Sequence, residues 1–172
     1  MNSLPRIEEF TREKVSREFD DLGPAACLAE ISQDLADNNP ELLDLALHCA
    51  NRFRDPLKIM TGYCIFYRLL LTQSTSALLE FSASHPTKLN LNPLPRVTVD
   101  TRTLVIKSIV ENGADSFTIA AIDELDRNNP ELLRMAHNFA LLDDDYLRVM
   151  QGFALLYESL RAQSMADRAY LQ

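Results

Sequence analysis

Apolar residues recur along most of the chain at intervals of three and four, the spacing that gathers them on one face of a helix. From Pro40 onward Leu42, Leu45, Ala46, Cys49, Ala50 and Phe53 share such a face, while Glu41, Asp44 and Asn51 lie off it. From Pro56 the stripe Leu57, Met60, Tyr63, Cys64, Tyr67, Leu70 and Leu71 is widened by Ile59, Ile65, Phe66 and Leu69. A helix apolar nearly all round is expected at the centre of a bundle. The first helix instead carries Glu8 with Arg12, Glu13 with Arg17 and Lys14 with Glu18, i,i+4 pairs that predict one solvent-facing side.

Three X-Pro junctions, Gly23-Pro24, Asn39-Pro40 and Asp55-Pro56, fall sixteen residues apart. Proline is at home in the first helical turn, and Asn and Asp are strong N-caps, so each junction predicts a helix start. The expected helices are Ile7 to Asp21, Pro24 to Asp37, Pro40 to Phe53 and Pro56 to about Leu79. A second set runs from Thr101 to Glu111, Asp115 to Arg127, Pro130 to Leu142 and Tyr146 to about Ala169.

The second set repeats the first. Asn38-Asn39-Pro40-Glu41-Leu42-Leu43 returns as Asn128-Asn129-Pro130-Glu131-Leu132-Leu133, and residues 11–74 align with 101–164 without a gap. Of the 64 pairs 21 are identical, where composition alone gives about four. Gly62 and Gly152 recur inside the two central helices at a cost of about 1 kcal/mol each relative to Ala, which points to close approach of a neighbouring helix. Between the copies, Ser82 to Asp100 holds Pro86, Pro93 and Pro95 among Ser, Thr and Asn and reads as a linker.

The expectation is therefore an all-α, internally duplicated helical bundle with about four helices per half. Residues 1–84 form the first repeat, 85–100 a Pro-containing linker and 101–172 the second, the halves being related by a pseudo-twofold within one body. A period of ninety and the lack of tryptophan set the chain apart from tetratricopeptide-like arrays, whose period is about 34.

Composition narrows the function. At 172 residues, 47% hydrophobic and 24% charged, the chain has material for a core and is not disordered. A formal charge of -8, spread over both halves, opposes nucleic acid and anionic membranes as partners. The richest apolar run, Ile65 to Leu71, contains Arg68 and falls short of the roughly 18–20 residues a membrane span needs. Cys27, Cys49 and Cys64 form no Cys-x-x-Cys pair, and Met1 to Lys14 carries Glu8, Glu9 and Glu13 where a signal peptide needs an apolar stretch. Reduced thiols and no signal peptide make the cytoplasm the expected compartment.

No catalytic constellation, metal site or cofactor motif is expected. His48, His85 and His137 lack metal-ligand spacing, no phosphate loop occurs, and Asp143-Asp144-Asp145 reads as the cap of the last helix. Tyr67, Gln73 and Ser74 recur as Tyr157, Gln163 and Ser164, and repeated polar groups need a hydrogen-bonding reason. One reason is an interhelical bond in each half. The other is a groove between the central helices, lined by Tyr63, Tyr67, Phe153 and Tyr157 and made asymmetric in charge by Arg68 opposite Glu158. The candidate partner-binding residues are thus Tyr63, Tyr67, Arg68, Gln73, Phe153, Tyr157 and Gln163.

The expected function is a protein–protein interaction module, an adaptor or regulator. Its partner is another protein, with a homodimer formed by exchange of halves at the linker as a variant. The alternative is a small-molecule sensor or enzyme with a pocket between the halves and His48 or His137 at work in it.

Overall fold

A computed structural model describes residues 4–84 and 94–171, without the side chains of 77–84, 170 and 171. Among them the chain is all helical: α1 (Glu9–Leu22), α2 (Pro24–Asn38), α3 (Pro40–Ala50), α4 (Pro56–Ser84), α5 (Val99–Asn112), α6 (Ala114–Asn128), α7 (Pro130–Ala140) and α8 (Tyr146–Leu171). Pro86, Pro93 and His85 lie outside the described residues.

The proline junctions start helices as expected, at Pro24, Pro40, Pro56 and Pro130. Asp55 and Asp145 act as caps, accepting from Lys58 N (3.2 Å) and Arg148 N (3.4 Å). Asn39 and Asn129 do not, for neither side chain bonds the helix that follows it. The single residue between α1 and α2 is Gly23 at φ +85°, and Gly113 repeats it at +89° between α5 and α6. A Cβ at Gly23 would meet no atom within 4 Å, so backbone geometry alone asks for glycine there.

α3 and α7 end earlier than their apolar pattern suggests, at Ala50 and Ala140. Phe53 N bonds Ala50 O and Asp143 N bonds Ala140 O, three-residue closures that tighten the chain into a turn before α4 and α8. α1 starts at Glu9 because Leu4 to Glu8 is an extended strap, with Leu4 and Ile7 buried. Its counterpart is Leu94 to Thr98, assigned to the linker on sequence: Leu94 and Val97 are buried, and Thr98 caps α5.

α4 and α8 occupy the centre, contributing Ile59, Phe66, Leu70, Val149, Phe153 and Leu160 among others. α3 packs on both of them, and so does α7. One hydrophobic cluster draws on all eight helices. The two helix glycines make room for neighbouring side chains, since a Cβ at Gly62 would overlap the Phe139 ring and one at Gly152 the Tyr63 hydroxyl.

Tyr63 Oη is buried there without a hydrogen-bond partner, and the aligned residue is Phe153. Tyr63→Phe is therefore expected to stabilise the protein by about 1 kcal/mol, read as a higher urea midpoint at unchanged m-value.

Candidate interaction site

The repeated polar residues form two cross-braces. Asn129, at the α6–α7 corner, accepts from Ile7 N (2.9 Å) and donates to Pro5 O (2.8 Å). Asn39, at the α2–α3 corner, accepts from Val97 N (2.9 Å) and donates to Pro95 O (2.9 Å). Each strap is thus held by a corner about 120 or 60 residues away in sequence, its backbone groups satisfied by one carboxamide. Gln73 and Gln163 receive the next residues: Glu8 N and Thr11 Oγ1 donate to Gln73, Thr98 N and Oγ1 to Gln163. Arg12 pairs with Glu131 at 3.3 Å, and Arg102 with Glu41 at 3.1 Å and with Asp44.

The four expected aromatic residues are packed inside the protein. Tyr63, Phe153 and Tyr157 are at most 1% exposed and Tyr67 4%, with Tyr63 edge-on to Phe153 at 5.0 Å between centroids. Between Tyr63 and Tyr67 of α4 and Leu156 and Leu160 of α8 the remaining space is about 10 Å³, room for no more than one water. α4 and α8 meet directly, so their aromatic stripes fill the place where a groove was expected. Burial, and then the Asp34 carboxylate, raise the pKa of Tyr67. Arg68 bonds Glu18 and Glu30, both at 3.2 Å; burial works against its charge, and the two carboxylates more than offset that.

His48 and His137 are both exposed and stand on different helices. His48 Nδ1 lies 3.2 Å from Asp44 O, and His137 Nδ1 is 2.6 Å from the Tyr146 hydroxyl. Among the described residues no three His, Cys, Asp or Glu side chains gather as metal ligands. The cysteines are unpaired, and burial pushes the Cys64 thiol up to about 11, leaving it protonated at neutral pH.

The surface does hold a groove elsewhere. α1 and α7 both pack on α4, and between them lies an open space of about 380 Å³. Ile65 and Leu69 of α4 form its floor, Val15 and Phe19 one wall, Met135 and Phe139 the other, with Leu142 at its edge. The α1 wall runs from Arg12 to Asp20, about 12 Å. The Arg12–Glu131 ion pair bridges the two walls. Sequence reasoning passed over these residues. One signal was available, because Leu141-Leu142 is an apolar pair in a turn whose aligned residues are Asn51-Arg52, and both leucines are at least 60% exposed.

A second cavity, of about 240 Å³, lies at the α2–α3 corner under the second strap, lined by Asp34, Asp37, Tyr67, Leu71, Leu94 and Arg96. Compared with protein-family models, with curated proteins and with solved structures, the chain matches none. Among the described residues no helix is long and apolar enough to cross a membrane.

Proposed function

We propose that the chain is an internal duplication folded about a pseudo-twofold axis, and that it works as a cytoplasmic protein–protein interaction module, an adaptor or regulator. The reciprocal bonds of Asn39 and Asn129, made by residues ninety positions apart, support the duplication. They also give its polar repeats a purpose in the scaffold. Binding is then carried by what the halves do not share.

The groove between α1 and α7 supports that reading. Its lining is apolar, with Phe19, Ile65, Met135 and Phe139 half-buried and Leu142 exposed, while Arg12, Asp20 and Asn138 supply a polar rim. Its length suits about two turns of an amphipathic helix laid between two others, anchored at i, i+3 or i+4, and i+7. Leu142→Arg, which installs the residue standing at aligned position 52, is expected to lower affinity for the partner at least roughly tenfold while leaving the thermal midpoint unchanged. A partner captured equally well by wild type and Leu142→Arg contradicts a groove-based contact.

The corner cavity favours one alternative, a small-molecule sensor. It is built from the first half's Asp34, Asp37 and Tyr67 and the second half's Leu94 and Arg96, so it lies between the halves and offers both signs of charge. This reading predicts an added small mass in native mass spectra of gently purified protein that denaturation removes and Asp37→Ala prevents.

A further inference from the structure

The outer face of α5 is apolar where its counterpart is charged. Val99, Ile106 and Val110 are 60%, 40% and 78% exposed, and the aligned residues on α1 are Glu9, Ser16 and Asp20. The shared fold therefore does not require apolar groups at these positions. With Thr103 they follow one another at spacings of four, three and four, the seam of a two-helix coiled coil. The buried side of the same helix, Thr101 and Val105, already faces the core.

Charges flanking the seam select its occupant. Asp100 and Lys107 lie on the same side of it, each one residue beyond a seam position. In an antiparallel pair of α5 helices, Val99 meets the partner's Val110 and Thr103 the partner's Ile106. Asp100 then stands beside the partner's Lys107, and the twofold repeats the contact. A parallel pair would turn the partner's Lys107 toward the flank where Glu41 and Asp44 already hold Arg102, and would leave Asp100 without a matching cation. The chain's charge of -8 repels a second copy in general, but α5 carries as many basic as acidic residues. We propose that the outer face of α5 is the interface of an antiparallel, twofold-symmetric homodimer. This inference is independent of what the α1–α7 groove binds, and it would present two such grooves per particle.

Sedimentation of the full chain across the micromolar range tests it. The expected result is a particle of twice the 19.5 kDa chain mass, reduced to a monomer by Ile106→Ser with Val110→Asp, the residues α1 carries, at unchanged helicity. Lys107→Asp should weaken the dimer roughly tenfold, and adding Asp100→Lys in the same chain should restore it. A wild-type monomer overturns the proposal. So does a dimer indifferent to the seam variant, or a charge reversal that the second substitution fails to restore.

Discussion

Replacing Asn129 with Ala is expected to destabilise the protein by about 2–4 kcal/mol, more than its surface-corner position in sequence suggests. The residue is wholly buried, and its carboxamide is the partner of both Ile7 N and Pro5 O. Truncation orphans a donor and an acceptor together, each of which costs about 1–3 kcal/mol when buried. If the strap lifts away to hydrate them instead, Leu4 and Ile7 leave the core, and lost apolar burial makes the loss of similar size. Urea unfolding followed by circular dichroism gives the magnitude. Amide exchange gives the mechanism: Ile7 should lose protection in Asn129→Ala while Val97, held by Asn39, keeps it. Asn39→Ala should reverse that pattern.

Gly62→Ala is expected to cost about 1–3 kcal/mol, although alanine is by itself the better helix former by about 1 kcal/mol. The added methyl would overlap the Phe139 ring, which is held edge-on to Phe153 at 6.0 Å between centroids. Phe139 also lines the α1–α7 groove, so the substitution should reshape the binding surface as well as lower the melting temperature. Phe139→Leu in the same chain should recover part of the stability, a non-additivity expected of residues in contact. Gly152→Ala is the matching case at the Tyr63 hydroxyl, with Tyr63→Phe as its partial rescue.

The helices were legible in the sequence because proline junctions and three-four periodicity are local signals. Their ends were less so: nothing in the apolar run to Phe53 announces that α3 stops at Ala50, where three-residue closures turn the chain toward α4. The straps were hidden for a different reason. Leu94-Pro95-Arg96 repeats Leu4-Pro5-Arg6 in the same register of ninety, yet a proline among polar neighbours reads as linker unless the receiving corner is known. Asn39 before Pro40 likewise reads as a cap, and only the fold brings Val97 to its side chain.

Identity at aligned positions marks shared scaffold as readily as shared use. Tyr67 and Tyr157 pack in the core, and Gln73 and Gln163 hold the straps. The more informative positions are the unlike ones. Leu142 against Arg52 marks the groove, and Val110 against Asp20 marks the α5 seam. Exposure decides both, and exposure is a property of the folded chain.

A photo-crosslinking side chain placed at Leu142, with Arg52 as the aligned control position, probes the function most directly in cells of the protein's own source. The groove reading predicts a covalent adduct from position 142 to one polypeptide, mapping to an amphipathic helical segment and missing at position 52. No adduct at 142, or the same adducts at both positions, would contradict it.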